Sequence, residues 1–159
     1  MTTTDAERIA PPSDGRIFVD TNVLASAVIP ESPRFFHAQG LLRRLLRSDC
    51  EIWISRQVIR EFTATLSRQD FFRQKFTARD LTAAGRNLMS RYVVAEDQEI
   101  ITEQLFLLLE QVPCGGKQVH DANIVATMLA YGIPHLVTYN LEDFRRFAGF
   151  VAVADDIAA

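Results

Sequence analysis

The segment Arg16-Ile17-Phe18-Val19-Asp20-Thr21-Asn22-Val23-Leu24 decides the reading of this chain. An apolar run of strand type stops at a carboxylate, and Thr21-Asn22 then opens a helix-like stretch. In open α/β folds such a strand end lies at the sheet edge where ligands bind. Asp20 would serve equally as a plain helix N-cap, since a carboxylate accepts from the free amides of a first turn. Taken alone it leaves both uses open, so its weight depends on what the rest of the chain brings to it.

Outward from this segment, strand-like runs alternate with helical patterns. Residues 33–47 carry apolar side chains at 35, 38, 42, 45 and 46, one helical face, and Pro33 suits a first turn. Glu51 to Ile54 reads as a short strand, and Ser55 as the N-cap of a helix running through Phe62 and Leu66. Thr77 to Ser90 reads as a helix capped by Thr77, and Tyr92 to Val94 as a short strand. Asp97 to Val112 is strongly apolar and reads as a central buried helix, broken by Pro113-Cys114-Gly115-Gly116. Val119 to Tyr131 is helical, with Gly132 as its stop. His135 to Thr138 reads as a strand, Leu141 to Phe147 as a short helix and Phe150 to Val153 as a last strand. Such alternation implies an α/β fold, a parallel sheet covered by helices on both faces.

The chain's 159 residues fit one domain with a sizeable core. Residues 1–14 read as a flexible lead-in and residues 15–159 as that single domain. No run is long and apolar enough to span a membrane, and no basic segment precedes an apolar core at the N-terminus. Cys50 and Cys114 show no paired metal-ligand spacing and suit a reduced, cytoplasmic compartment. The net charge of −3 weakly opposes a dedicated nucleic-acid binder. Basic residues nevertheless cluster at Arg43, Arg44 and Arg47, at Arg68, Arg73, Lys75 and Arg79, and at Arg145 and Arg146. Each cluster reads as a solvated helix face unless the fold gathers it around one rim.

Further polar signals align with Asp20. Glu61, in Val58-Ile59-Arg60-Glu61-Phe62, borders an apolar helix face, and Arg60 points about 100° away from it. Asp121 stands near the start of an otherwise apolar helix, where the helix dipole favours a carboxylate whatever its use. His120 is adjacent and should point elsewhere; His37 and His135 show no convergent partner. Asn140 ends a strand-like run, and Asp143 follows at helical spacing. Thr21 is placed to orient a carboxylate, and Asn22 to hold a water or carboxylate beside it.

The joint pattern carries more than its parts. Two unit charges about 4 Å apart repel by roughly 4 kcal/mol at an effective dielectric near 20. Several carboxylates on one sheet edge therefore require protons or cations, and all-oxygen ligation suits Mg²⁺ or Mn²⁺. Such an ion activates water and neutralises a phosphodiester's developing charge.

Phe18-Val19-Asp20-Thr21-Asn22-Val23-Leu24, Arg60-Glu61-Phe62, His120-Asp121-Ala122 and Leu136-Val137-Thr138-Tyr139-Asn140-Leu141-Glu142-Asp143-Phe144 together resemble the PIN-domain nucleases, above all their bacterial VapC-type toxins. The resemblance spans Arg16 to about Val153. It implies a three-layer α/β/α sandwich around a mainly parallel sheet, and Mg²⁺- or Mn²⁺-dependent hydrolysis of RNA. It places Asp20, Glu61 and Asp121 at the family's first three acidic positions, with Asp20 and Asp121 as the safer metal ligands. It also implies a homodimer and a cognate antitoxin protein that covers the site. The chain departs from the pattern at Asn140, where the last strand end often carries an acid; Asp143 or Asn140 itself would take that place. Thr138 would add a hydroxyl nearby.

Three other readings compete. An aspartate-nucleophile phosphatase would need an acid two residues after Asp20, where Asn22 stands. Gly115-Gly116-Lys117 lacks the upstream glycine spacing of a P-loop, and Gln118 follows the lysine. A PIN-like RNA-processing scaffold or protein-binding module with a degraded site would keep the fold and lose cleavage. The helix face bearing Phe35, Phe36, Leu41, Leu42, Leu45 and Leu46 offers core residues with apolar surface to spare for a dimer or antitoxin.

Overall fold

A computed structural model describes residues 8–10, 15–68 and 75–158. Five strands form one wholly parallel sheet: β2 (Arg16–Val19), β3 (Glu51–Ser55), β4 (Val93–Ala95), β5 (His135–Val137) and β6 (Ala152–Ala154), in the order β4-β3-β2-β5-β6. Parallel neighbours need long crossovers. Helices supply them: α1 (Thr21–Ser26), α2 (Phe35–Arg47), α3 (Arg56–Ser67), α4 (Ala78–Arg91), α5 (Glu99–Gln111), α6 (Gln118–Tyr131) and α7 (Leu141–Phe144). Helix α1 packs on α2 and α3, and α3 on α4; α5 packs on α6, and α6 on α7. With the sheet between them these groups make the three-layer α/β/α sandwich.

The central strand is the one that opened the reading. Ile17, Phe18 and Val19 are wholly buried, as a strand covered on both faces must be. From β2 the chain moves outward to β3 and β4, then returns to β5 on the other side of β2. The connections therefore reverse between β2 and β5, and the crevice beyond the carboxyl ends of these two strands is where open parallel sheets hold ligands. Asp20 follows β2 there and Thr138 follows β5; Asp20 N–H donates to Val137 O over 3.0 Å.

Local signals set the helix boundaries. The Ser55 hydroxyl accepts from Val58 N–H at 3.2 Å, and Thr77 and Asp80 form a reciprocal capping box. Gly132 ends α6 with φ of 65°, a conformation that favours glycine. Pro33 lies in the turn before α2, which begins at Phe35. The expected helix 141–147 divides into α7 and a 3₁₀ turn over Arg145–Phe147. Trp53 on β3 packs against Tyr131 of α6, their ring centroids 5.4 Å apart.

Two expectations need correction. The segment read as the central buried helix, α5, is an outer one: Ile101 and Leu108 are buried, while Ile100, Phe106 and Leu107 are each about half exposed. Its apolar residues are spread around the helix, which packs on α6, with Leu105 and Leu109 partly buried against the core. The buried helix is α6, where Ala122 and Ile124 through Met128 are enclosed. The second correction concerns the lead-in. Arg8–Ile9 forms strand β1, parallel to β7 (Asp156–Ile157), and neither strand was expected. Arg8 reaches the Asp156 carboxylate at 3.1 Å, and Asp156 also binds the Arg44 guanidinium. The other lead-in residues, 1–7 and 11–14, lie outside the described residues, as does Arg73 of the second basic cluster.

The contrast between β2 and α5 yields a direct expectation. Phe18→Ala should cost about 3–5 kcal/mol of unfolding free energy. Phe106→Ser, on the exposed side of α5, should change it by about 0.5 kcal/mol or less. Urea denaturation of both variants decides; equal costs would reverse the assignment of α5 to the outer layer.

Candidate active site

Asp20 is a helix cap and also lines a cleft at the strand ends. It caps α1, accepting from Thr21 N–H at 2.7 Å through Oδ1. Its Oδ2 accepts from the Thr138 hydroxyl at 2.7 Å and from Asn22 Nδ2 at 3.0 Å. Asn22 in turn accepts Tyr139 N–H on Oδ1 at 3.1 Å, and Thr138 Oγ1 accepts Asn140 N–H at 3.1 Å. The ends of β2 and β5 are thus tied around one carboxylate. Thr138 is wholly enclosed, so its hydroxyl fixes Asp20 rather than facing the cleft.

Asp20 is 5% exposed. Burial pushes its carboxyl from an ordinary 3.8 up to about 6, against the Thr138 and Thr21 hydrogen bonds, and the charges of Glu61 and Asp121 push the same way. Asp121, half-buried in the first turn of α6, is also raised: burial first, then Asp143 and Glu61, partly offset by Arg146 and His120.

Glu61 projects from α3. Its Oε2 accepts from the Thr21 hydroxyl at 3.1 Å and its Oε1 from Gln57 Nε2 at 2.8 Å. Arg60 points elsewhere and pairs with Asp97 at 2.9 Å. Asp20, Thr21, Asn22, Glu61, Asp121 and Asn140 all line one cleft of about 450 Å³, together with Arg68 and Lys117. Among the described residues, none of the three carboxylates forms an ion pair.

Asn140 holds the N-cap position of α7, yet its side chain makes no capping bond. Its amide is left to the cleft. Asp143 is exposed and does not line this cleft; it reaches the site through its charge, which acts on Asp121. His120 lines a neighbouring cleft with Gln57, Arg60, Glu61 and Asn123. His37 does have partners: Nδ1 lies 2.8 Å from the Tyr139 hydroxyl and Nε2 3.8 Å from Asp156.

The donor chemistry fits a hard divalent cation. Every anionic donor in the cleft is a carboxylate oxygen, with amide and hydroxyl oxygens beside them and no thiol or imidazole. Among the described residues, no three acidic, His or Cys side chains are gathered tightly enough to enclose an ion. Mg²⁺ keeps several waters and takes one or two carboxylates from a protein. Asp20 and Asp121 are the side chains that could supply them.

Sequence reasoning missed Gln57 and Asn123, and it saw Lys117 only as part of a glycine turn. The signal for Gln57 was its i, i+4 spacing to Glu61, which puts both on one helix face. Nothing in the sequence brings Arg68, at the end of α3, opposite Lys117, at the start of α6.

With this geometry in place, comparison gives the class. The PIN-domain family model matches residues 17–150, and the chain belongs to that family. Among solved structures it is similar to Mycobacterium tuberculosis VapC20, described as a sarcin-ricin loop cleaving toxin. The two share 22% identity and a TM-score of 0.66 over 87% of this chain and 98% of that one. It is also similar to VapBC2 of Rickettsia felis bound to a promoter DNA fragment (21%, TM-score 0.64, 88% and 99%). A third is VapBC-1 of nontypeable Haemophilus influenzae (18%, TM-score 0.62, 89% and 97%). At these identities the likeness is one of fold. No curated protein matches the sequence.

The raised Asp20 carboxyl has a definite sign in stability. Between pH 3.8 and about 6 the unfolded chain gives up this proton before the folded one, so this residue's contribution to stability falls as pH rises through that window. The full cost is on the order of 3 kcal/mol above pH 6. In EDTA, Asp20→Asn should equal wild type in stability near pH 4 and exceed it increasingly toward pH 7. A difference that does not vary with pH would mean that the carboxyl is not raised.

Proposed function

We propose that the chain is a Mg²⁺- or Mn²⁺-dependent endoribonuclease and the toxin of a toxin–antitoxin pair. The observation that carries this is the cleft itself: Asp20, Glu61 and Asp121 line it at the switch point of a PIN fold, and none of them forms an ion pair among the described residues. A bound divalent ion would supply an activated water and neutralise charge on the phosphodiester.

The chain's own residues have distinct parts in this reading. Asp20 and Asp121 would hold the ion, with Thr138, Asn22 and the Thr21 amide fixing the Asp20 carboxylate. Glu61, held by Thr21 and Gln57, would orient the attacking water, and its charge, which reaches both Asp20 and Asp121, would add to ion affinity. Asp143 adds negative charge that acts on Asp121, and Asn140 offers a neutral amide where the family often carries an acid. Asn140 and Asp143 together therefore tune a site that retains three acids rather than replacing a lost one.

Arg68 and Lys117 suit the RNA backbone. They line the same cleft as the carboxylates, and neither pairs with an acid among the described residues. Cations placed this way neutralise phosphates and release counterions.

The partner proteins follow from surface and analogy. Leu41, Leu42 and Leu45 of α2 enter the core, whereas Phe36 is 84% exposed and Leu46 46%. Val28, Leu42, Leu46 and Leu88 line a groove of about 310 Å³ between α2 and α4, edged by Arg43 and Arg91. We assign this apolar surface to a cognate antitoxin and to a second copy of the chain, in the cytoplasm. No helix of the described residues is long and apolar enough to cross a membrane.

Incubation of antitoxin-free protein with a mixed RNA pool tests the chemistry. Cutting should require Mg²⁺ or Mn²⁺, stop in EDTA and fall at least ~100-fold in Asp20→Asn. Cutting that continues unchanged in Asp20→Asn would place the active site elsewhere. Metal binding by folded protein that cuts no RNA would favour the scaffold reading.

The backbone contacts have their own readout. In the Asp20→Asn background, Arg68→Gln and Lys117→Gln should each lower the salt slope of single-stranded RNA binding by about 0.7. Unchanged slopes would remove both residues from the RNA path.

A further inference from the structure

Gln57 is a fully engaged amide between the helices that carry Glu61 and Asp121. It is 7% exposed. Its Nε2 donates one hydrogen to Glu61 Oε1 at 2.8 Å and the other to His120 O at 3.0 Å. Its Oε1 accepts from Asn123 Nδ2 at 2.7 Å. A buried amide is costly unless satisfied, and here both donor hydrogens and the carbonyl are used.

The partners matter more than the number of bonds. Glu61 lies four residues along α3 from Gln57, so the two share a helix face. His120 is the residue before Asp121 on α6, and Asn123 lies two residues after it. Gln57 therefore holds a side-chain oxygen of one site carboxylate with one N–H, and the backbone beside the other carboxylate with its second. Glu61's other oxygen is held by the Thr21 hydroxyl, next to Asp20. A flexible glutamate on a helix surface has three rotatable side-chain bonds; this one is fixed at both oxygens.

We infer that Gln57 is a positioning residue, which sets the Glu61 carboxylate against Asp121 through a Gln57–Asn123 clamp between α3 and α6. It touches neither water nor RNA in the reaction; it acts through Glu61. The inference rests on the proposed nuclease reading for its kinetic consequence, but the clamp itself is a property of the fold.

Removing a hydrogen-bonding partner behind a ligating or catalytic carboxylate typically lowers metal affinity or activity about 10–100-fold. Gln57→Met keeps length and apolar bulk while deleting every polar contact. It should lower kcat on an RNA oligonucleotide by about 10–100-fold, with KM within about twofold. In the Glu61→Ala background the same substitution should cause no further loss, because there is no carboxylate left to position. Asn123→Ala, which frees only the Gln57 carbonyl, should give a smaller loss of the same kind.

Calorimetric titration of Mn²⁺ into RNA-free protein supplies a readout that needs no cleavage. Gln57→Met should weaken Mn²⁺ by about 10-fold or more. If wild type cuts no RNA yet Gln57→Met weakens Mn²⁺, the nuclease reading fails and the clamp stands. If wild type cuts RNA and Gln57→Met alters neither kcat nor Mn²⁺ affinity, the clamp fails alone. Equal losses in the wild-type and Glu61→Ala backgrounds would make Gln57 a general structural residue and overturn the inference. Should Gln57→Met not fold, the same comparison in Asn123→Ala decides it.

Discussion

One carboxylate buried at the meeting of two strands organises this molecule. Asp20 sits where β2 and β5 end side by side, and four atoms close on it: the Thr21 amide, the Thr138 hydroxyl and Asn22 Nδ2 directly, and Tyr139 N–H through Asn22. The sheet order forces this arrangement. Because the chain leaves β2 in one direction and returns to β5 from the other, no crossover covers the crevice between their ends. A charge can be kept there only at a cost, and that cost appears as a carboxyl raised to about 6. The hydrogen bonds lower the cost without removing it. What remains unfavourable is what a divalent cation would relieve.

From that anchor the other polar residues acquire their places. Thr21, adjacent to Asp20, reaches across to Glu61 on α3; Gln57, one turn earlier on α3, reaches across to α6. Three elements distant in sequence are thereby coupled through side chains that all surround one cleft. A second polar network lies beyond it. Asp156 gathers Arg8, Arg44 and, at 3.8 Å, His37, whose other nitrogen meets the Tyr139 hydroxyl. Arg34 stacks over the Tyr139 ring at 4.4 Å, and burial drives that phenol up to about 12. The segment after β5 is therefore braced on both sides, by Asn22 and by this group.

Much of this was legible in the sequence, for a physical reason: the informative signals were local. A strand ending in a carboxylate, Ser55 and Thr77 as caps, and Gly132 as a helix stop each need only the neighbouring few residues to act. The coarse α/β order follows from them. Helix α5 shows where locality fails. Its apolar content was plain, but which of its faces meets the protein depends on α6, and Ile100, Phe106 and Leu107 turned outward. The same limit hid β1 and β7, two-residue strands that exist only because each meets the other, and Gln57, whose importance lies in His120 and Asn123 some 60 residues away. Between Asn140 and Asp143, which the sequence leaves as alternatives, Asn140 lines the cleft and Asp143 lies outside it, with its charge acting on Asp121.

The packing of Trp53 has a practical consequence in optics. It is the chain's one tryptophan, half-buried on β3 against Tyr131, and it lines none of the clefts described above. Its emission is therefore a native gauge of the sheet's integrity from a residue outside the cleft that the carboxylates line. Ultraviolet fluorescence can follow the scaffold while the cleft is emptied, filled or altered, so that a fold lost and a site disabled give different signals in the same sample.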